Sequence, residues 1–366
     1  MKPLKVQVPG KLLLAGEYAI LEPGAMSLVL AVDRYFYASL EVPEPPAEDS
    51  DLLAPLVLTS AQYPDVSFAP PSLLNIYWPS APEPLRFAAA ACQWVMHYLK
   101  DNGAAEAIAG LRLRLDAQLQ VDAVKLGLGS SAACCVAVAS ALLHHALPDT
   151  PFESLRPVIF KLAYLAHYAV QGSGSGADIA GCVYGSVISY QRPDLDRLPF
   201  EMLERMSSEY MPDWPLLGLT QIPWPQDWRL QFGWTAQAAD SKTLITDFKA
   251  WQAQAPEATQ DFLFQMQMAV MGLQETLKSQ DLPAFVRQLR AQRRLLTQLN
   301  EVMVYAPETP SLKRLADIAE ALEGAGKFSG AGGGDCGLAW VPAAAQQSLH
   351  TQWQAAGVIP LDLSLD

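Results

Sequence analysis

The chain has 366 residues, of which 51% are hydrophobic and 17% charged, and it carries a formal net charge of −13. This length and composition exclude a disordered or low-complexity chain and favour two globular domains with buried cores. The acidic balance excludes a basic surface that attracts nucleic acid or an anionic membrane over long range. Any anionic ligand must therefore be held locally, by a few lysines, backbone N–H groups and a divalent cation.

Cysteine usage and hydropathy predict the compartment. The five cysteines show neither a CxxC pair nor a metal-ligand spacing, and their odd number argues against a secreted disulfide framework. The N-terminus has no signal-peptide apolar region, and no run reaches the roughly 18 apolar residues of a membrane helix. We therefore expect a cytoplasmic protein that binds a small molecule, with neither nucleic acid nor membrane as a partner. The sequence leaves the oligomeric state open.

The first half predicts a strand meander followed by helices. Short apolar runs predict strands at 4–8, 11–14, 26–32 and 35–42. A region rich in Pro, Asp and Ser at 43–83 predicts an irregular excursion over a pocket. The elements expected after it are a helix at 87–99, a strand at 111–115, helices at 130–147, 152–170 and 177–183, and a strand at 187–190.

A proline-rich stretch at 191–226 predicts the crossover between two domains, with the boundary between 195 and 225. We assign residues 1–200 to an N-terminal domain and 201–366 to a C-terminal domain. The second half predicts a strand at 230–234, helices at 240–253, 256–279, 282–299 and 310–322, a glycine loop and strand at 327–342, a helix at 344–356 and a strand at 358–363. Since both halves mix helices with antiparallel-looking strands, the predicted fold class is α+β.

Three glycine-rich segments, at 9–16, 127–133 and 329–334, are candidates for ligand binding. Glycine lets the backbone approach a ligand closely, and consecutive N–H groups before a helix form an anion site. The central segment opens the alanine-rich helix predicted at 130–147, so its N–H groups can hold phosphates. Its serine hydroxyls can ligate Mg²⁺, with Ser131 as the first candidate and Ser130 as the alternative.

The central segment has a second interpretation, because Gly127, Gly129 and Ala132 also fit the dinucleotide pattern GxGxxA. That fingerprint needs a strand–helix–strand unit with an acidic residue about 20 positions further on. The position reached is near Asp149, which another predicted helix follows, so the context fails. Walker A and protein-kinase motifs do not occur in the sequence, which excludes the two commonest nucleotide-kinase folds.

The three glycine segments occur in the order and approximate spacing of the galactokinase, homoserine kinase, mevalonate kinase and phosphomevalonate kinase (GHMP) superfamily. Residues 9–21 resemble its first motif, 127–133 its second, the ATP phosphate loop, and 327–339 its third, a glycine loop that completes the active site. This resemblance spans essentially the whole chain. It implies a two-domain GHMP kinase fold, with a ribosomal-protein-S5-like N-terminal domain and a ferredoxin-like C-terminal domain, and ATP and Mg²⁺ as cofactors.

The resemblance also implies roles for individual residues. Residues 171–180 are similar to the stretch that carries the superfamily's catalytic aspartate, with Asp178 at the matching position, and Lys11 matches the lysine beside it. On the sequence alone, Asp178 also fits a helix first-turn acid and Lys11 a solvated surface lysine. The expected ATP-binding residues are Lys125, Gly127, Gly129, Ser130, Ser131 and Ala132. The expected substrate-binding residues are Tyr18, Ser175, Trp234, Ser241, Lys242, Gly332, Gly333 and Asp335.

Within the superfamily, residues 16–21, Lys125 and the Gly-Trp-Thr strand inside 222–245 resemble phosphomevalonate kinases. This implies phosphotransfer from ATP to phosphomevalonate, giving diphosphomevalonate and ADP. The loop at 236–241 departs from that family's pattern. His167 stands where mevalonate kinases carry a Mg²⁺-binding glutamate, and we interpret it as a histidine satisfied on a helix. Another GHMP enzyme (a mevalonate kinase, a diphosphomevalonate decarboxylase or a sugar kinase) and a non-catalytic ligand-binding relative remain as alternatives.

The acceptor determines what Asp178 must do. An alcohol acceptor has to lose a proton, so it requires a base. A phosphate monoester has a second pKa of about 6 and is largely dianionic at neutral pH, so it requires charge neutralisation more than deprotonation. Lys11, Lys242 and Mg²⁺ meet that requirement, and Asp178 then orients Lys11 or holds the metal.

Overall fold

The computed structural model describes residues 4–42, 56–70, 76–121, 124–195 and 213–366. Its N-terminal strands, in chain order, are β1 (Leu4–Ala15), β2 (Met26–Glu41), β3 (Val57–Ser60), β4 (Ser67–Phe68), β5 (Arg112–Ala117), β6 (Gln120–Val121), β7 (Val124–Lys125), β8 (Val187–Gln191) and β9 (Gly218–Gln221). Among the described residues, β6 and β7 pair only with each other, and the other seven strands form one sheet in the order β4-β3-β5-β2-β8-β9, with β1 also paired to β2.

The long strand β2 organises this sheet. Strand β1 runs antiparallel to it from the Leu4↔Leu40 pair to the Ala15↔Leu28 pair, with register shifts at Pro9/Gly10 and Leu13/Ala15. The sequence predicted four short strands here, and the structure corrects this to two long ones. Pro9 lacks an N–H and Gly10 tolerates irregular backbone, so together they produce a bulge and not a break.

The described residues of the N-terminal half also form the helices α1 (Arg86–Asp101), α2 (Ser130–Ala146), α3 (Phe152–Gln171) and α4 (Ala177–Tyr184). Each lies within a few residues of its predicted position. Helix α2 contacts α1, α3, α4, β1 and β2. Every residue from 132 to 143 is buried, because the Ala/Val/Leu sequence is apolar on all sides. The body of α2 is therefore fixed within the core, and its first residues, Ser130 and Ser131, line a cavity.

The C-terminal half packs five helices with a sheet whose strands are β10 (Leu230–Trp234), β11 (Ala325–Phe328), β12 (Cys336–Trp340) and β13 (Ile359–Leu361). The strand order is β11-β12-β10-β13, and every pairing is antiparallel. The helices are α5 (Ser241–Gln254), α6 (Pro256–Ser279), α7 (Leu282–Val302), α8 (Pro310–Ala321) and α9 (Gln346–Ala355). These elements confirm the predicted α+β class. None of the described helices combines the length and hydropathy needed to cross a bilayer.

Strand β9 pairs with β8, so residues up to Gln221 belong to the N-terminal sheet. We therefore place the domain boundary after Gln221, inside the predicted 195–225 interval, and not at residue 200. Part of the predicted crossover, 196–212, and part of the predicted excursion, 43–55 and 71–75, lie outside the described residues. The chain end returns to the N-terminal sheet, where Leu365 forms a bridge with Val32.

Candidate active site

A cavity opens between the two domains, where β1, the start of α4, the start of α5 and the loop between β11 and β12 meet. We call it the interdomain cavity. Its wall contains both predicted catalytic residues, Lys11 and Asp178, together with Glu17, Tyr18, His167, Gln171, Ser175, Ser241, Gly330 and Ala331. Residues separated by more than 300 positions in the sequence thus face one space.

Lys11 is half-buried on β1, and its backbone N–H donates to the carbonyl of Leu128, 2.9 Å away. Its side chain passes between the phosphate loop and α4. A Cβ at Gly129 would lie 2.8 Å from Lys11 Cε, and a Cβ at Gly181 would lie 3.1 Å from Lys11 Cβ. The two glycines therefore leave the space that the lysine stem fills.

Asp178 is half-buried in the first turn of α4, which follows Gly176 in the left-handed conformation (φ 79°). Its Oδ1 accepts a hydrogen bond of 3.1 Å from the N–H of Ile179. A carboxylate at a helix N-terminus is favoured by the helix dipole, so this position suits an aspartate. Asp178 acts to raise the pKa of His167, whereas burial lowers that pKa, so Asp178 and His167 interact electrostatically.

His167 joins the interdomain cavity to the phosphate loop. Its Nε2 lies 3.0 Å from Ser131 Oγ, and its ring stacks on Phe87 with centroids 5.2 Å apart. Burial lowers the pKa of His167 below its usual value, Asp178 acts in the opposite direction, and Lys11 lowers it further. The neutral ring is therefore favoured. The sequence interpretation of a satisfied helix histidine holds, but its partner is a residue of the phosphate loop.

A second cavity, which we call the phosphate-loop cavity, lies on the other side of Ser131. Besides Ser130, Ser131 and Cys134 of α2, it is lined by residues of β2, β5, β6 and α1 and of the segment after β3, among them Phe36, Tyr63, Arg86, Phe87, Leu115 and Gln120. Sequence reasoning missed all of these side chains outside α2. They come from separate elements, and no local motif marks them.

The phosphate loop depends on its glycines. Gly127 and Gly129 have φ of 75° and 78°, in the left-handed region that favours glycine. A Cβ at Gly127 would lie 2.6 Å from Asp335 Cβ, so the third motif packs directly on the second. Asp335 Oδ1 also accepts from the N–H of Ala239 at 3.4 Å. Lys125 has its backbone in β7, and its side chain lies outside what the structure describes.

The structure distributes the predicted substrate-binding residues over several places. Tyr18, Ser175 and Ser241 line the interdomain cavity, as do Gly330 and Ala331, whereas Gly332 and Gly333 lie outside its described lining. The N–H of Gly333 donates to the carbonyl of Pro307, 2.7 Å away, and a Cβ at Gly332 would lie 2.3 Å from that oxygen. Three other predicted residues lie outside the described lining: Trp234, buried in β10, Lys242, exposed beside Ser241, and Asp335, which contacts the phosphate loop.

A buried ion pair that the sequence did not predict connects the first and third motifs. Lys327 Nζ donates to Glu17 Oε1 and, at 2.7 Å, to the carbonyl of Phe328. Both charged side chains are completely buried. Burial raises the pKa of Glu17, an effect that the Lys327 ammonium opposes, and the N–H of Gly330 also acts to lower it. The residues stand inside recognised motifs, but only the fold reveals that they meet.

The comparisons with known proteins cover the whole site. The family profile of the GHMP kinases N terminal domain matches residues 88–186, and that of the GHMP kinases C terminal matches residues 273–359. A phosphomevalonate kinase from Streptomyces sp. strain CL190 is 32% identical over 97% of this chain and 95% of that protein.

Two solved structures share the fold over nearly the full chain. A Lin0012 protein from Listeria innocua matches with a TM-score of 0.85 at 31% identity, covering 99% of this chain and 98% of that one. Streptococcus pneumoniae phosphomevalonate kinase, in complex with phosphomevalonate and AMPPNP, matches with a TM-score of 0.80 at 24% identity, covering 99% and 100%. The chain therefore belongs to the GHMP kinases, has their two-domain fold, and is a homologue of the phosphomevalonate kinases.

Proposed function

We propose that the protein transfers the γ-phosphoryl group of ATP to phosphomevalonate, giving diphosphomevalonate and ADP, a reaction of the mevalonate pathway to isoprenoids. The observation that carries this proposal is one cleft that contains Lys11 and Asp178 and adjoins, through the Ser131–His167 contact, a glycine loop at a helix N-terminus. The homology to phosphomevalonate kinases supports the choice of acceptor.

The nucleotide is assigned to the phosphate-loop cavity. The N–H groups that follow Gly127 and Gly129, with the positive end of α2, attract its phosphates. Arg86, Phe87 and Tyr63 offer a cation and two aromatic faces for the nucleoside. This arrangement directs the γ-phosphoryl group past Ser131 toward the interdomain cavity.

The oxygen donors at this junction fit Mg²⁺. The Ser131 hydroxyl bonds to one ring nitrogen of His167 and retains a lone pair for a cation, and Asp178 supplies a carboxylate in the adjoining cavity. Mg²⁺ commonly keeps several waters and takes few protein ligands beside substrate phosphates, so this sparse donor set is sufficient. When bound, the ion neutralises charge on the phosphate oxygens.

The acceptor is assigned to the interdomain cavity. At neutral pH the phosphate of phosphomevalonate is mostly dianionic, so the attacking oxygen is already deprotonated. The main task is to bring two anions together, and Lys11 supplies a positive charge whose position the two neighbouring glycines fix. Asp178 then acts by orienting Lys11 and the acceptor, and it has no proton to remove.

The test is an assay of ADP release over mevalonate, phosphomevalonate, diphosphomevalonate, homoserine and galactose, with MgATP saturating. We expect phosphomevalonate to give a kcat/KM at least a hundredfold above every other acceptor. The Lys11→Met protein, purified in parallel, measures the contribution of contaminating kinases. Preference for mevalonate or for a sugar would reject the substrate assignment, and ADP release without any acceptor would indicate an ATPase.

A further inference from the structure

We propose that the buried Glu17–Lys327 pair is a positioning device for the acceptor, which holds the Gly330–Ala331 stretch as a wall of the interdomain cavity. The inference rests on the proposed function, because it takes this cavity as the acceptor site. Glu17 borders the cavity, but its carboxylate pairs with Lys327 and both side chains are completely buried, so we give the pair a positioning role and not a catalytic one. They act by fixing the backbone at Phe328, the residue that precedes the loop at 329–334.

The pair joins two segments 310 residues apart in the sequence. Glu17 lies between β1 and β2 in the N-terminal half, and Lys327 lies on β11 in the C-terminal half. Lys327 Nζ also donates to the carbonyl of Phe328, the residue that leads into the loop. The ammonium thus fixes its own strand end and the first motif at the same time.

Two more hydrogen bonds continue the same contact. The N–H of Leu13 donates to Ser329 Oγ at 2.7 Å, and the hydroxyl of Tyr18 donates to the carbonyl of Ala331 at 2.6 Å. With the ion pair they fasten residues 13–18 to residues 327–331. Gly330 and Ala331, the two residues of this loop that line the cavity, lie inside the fastened segment.

Stability alone is a poor account of such a pair. Removing two charges from water is costly, and well-packed apolar residues of similar volume often stabilise a protein as well or better. Glu17 Oε2 is buried and makes no hydrogen bond of ordinary geometry within the described part of the chain, so the pair is not even fully satisfied. A directional contact at this place defines where the loop sits relative to Lys11 and Asp178.

The two cavities give this proposal a specific kinetic signature. The described lining of the phosphate-loop cavity comes entirely from the N-terminal half, between Phe36 and Val170. The interdomain cavity has Gly330 and Ala331 in its wall. Loss of the pair should therefore weaken use of the acceptor and leave nucleotide binding nearly unchanged.

The experiment compares Glu17→Gln, Lys327→Met and the double variant with Lys161→Met. Lys161 is a matched control, because it is a buried lysine that packs beside Trp214 and lies outside the described lining of both cavities. For each protein we would measure the KM of phosphomevalonate, the Kd of ATP by calorimetry, the Tm, and amide hydrogen exchange of residues 327–334.

We expect each single variant to raise the acceptor KM roughly tenfold or more, the effect of losing a charged hydrogen bond, with the Kd of ATP within twofold. Hydrogen exchange in residues 327–334 should accelerate. The double variant should recover Tm because no buried charge remains unpaired, yet keep the raised KM. Lys161→Met should leave both constants and the loop exchange unchanged.

Recovery of the acceptor KM together with Tm in the double variant would overturn the proposal, since the pair would then be structural only. Equal changes in acceptor KM and ATP Kd would overturn it too. Loop exchange and ATP Kd need no acceptor turnover, so a wild-type protein inactive on phosphomevalonate would reject the proposed function, and unchanged loop exchange in the single variants would reject the positioning role.

Discussion

The two glycine loops of the site look alike in sequence and differ in structure. The phosphate loop, with Gly127 and Gly129, runs directly into the long buried helix α2. The C-terminal loop, 329–334, connects the antiparallel strands β11 and β12, with no helix after it. The first therefore presents N–H groups and a positive helix end, which suit phosphates. The second forms part of the wall of the interdomain cavity, and hydrogen bonds to Leu13 of the first motif and to Pro307 hold it in place. The element into which a glycine loop runs thus decides which ligand the loop can bind.

The largest expected effect comes from the lysine that packs on the phosphate loop. Lys11→Met should lower kcat about a hundredfold or more, since one preorganised positive group is typically worth about 3–4 kcal/mol in the transition state. Substrate KM values should change less. Lys249→Met is the control, because Lys249 is exposed and lies outside the described lining of the interdomain cavity. If the Lys11 variant keeps its kcat and only the KM rises, Lys11 is a binding residue.

A matched pair of alanine substitutions distinguishes the roles of the two loops in catalysis. Gly129 and Gly330 have φ of 78° and 81°, so alanine meets similar backbone strain at both, roughly 1–2 kcal/mol. At Gly129 the new Cβ also lies 2.8 Å from Lys11 Cε, whereas nothing lies within 4 Å at Gly330. We expect Gly129→Ala to lower kcat on the order of tenfold by displacing Lys11. Gly330→Ala should change kcat less than threefold, with any further effect confined to the acceptor KM.

Steady-state kinetics of the two variants, with Tm measured alongside, check this comparison. Similar losses of Tm with unequal losses of kcat would support it. Equal losses of kcat would mean that strain alone, and not the position of Lys11, accounts for the effect.

On the acceptor side, Asp178→Asn preserves shape and removes charge. With a phosphate acceptor we expect less than a tenfold loss of kcat/KM at pH 8, and a steeper fall as pH drops through about 6, where the acceptor gains a proton. An alcohol acceptor would instead lose its only base, and turnover would collapse by roughly 10²–10⁴ at every pH. The pH profiles of both proteins distinguish these outcomes, and such a collapse with phosphomevalonate would contradict the electrostatic role of Asp178.

The smallest expected effect is on the nucleotide side. Ser131→Ala removes a hydroxyl that bonds His167 and is the candidate Mg²⁺ ligand, and should raise the KM of MgATP several-fold. The difference from wild type should shrink as Mg²⁺ is raised. Identical constants at all Mg²⁺ concentrations would exclude Ser131 as a ligand and transfer the role to Ser130.

The sequence predicted most helices and strands because their signals are local. The start of α2 is marked by serines after glycine, and α6 by Pro256 at its first turn. The strand β1 was divided wrongly because Pro9-Gly10 signals a break as well as a bulge, and β2 because the charged residues Asp33 and Arg34 interrupt its apolar run. The pairing of β9 with β8, which places residues beyond 200 in the N-terminal sheet, is a non-local contact that the sequence did not reveal.

The site was only partly predictable for the same reason. Lys11, Asp178 and Ser131 stand in motifs that can be read along the chain. The Glu17–Lys327 pair and the Ser131–His167 contact join residues 310 and 36 positions apart, and the partners of such contacts are set by packing. Trp234 and Lys242 lie outside the described lining of the interdomain cavity, because a recognisable segment does not reveal which of its side chains faces a cavity.

The central claim is that this cleft forms a phosphate–phosphate bond on phosphomevalonate. Phosphorus NMR of the wild-type protein with MgATP and either mevalonate or phosphomevalonate measures that bond directly. We predict that phosphomevalonate yields the two coupled phosphorus signals of a diphosphate ester as ADP accumulates, and that mevalonate yields no product. A phosphate monoester formed from mevalonate, with phosphomevalonate unchanged, would contradict the account.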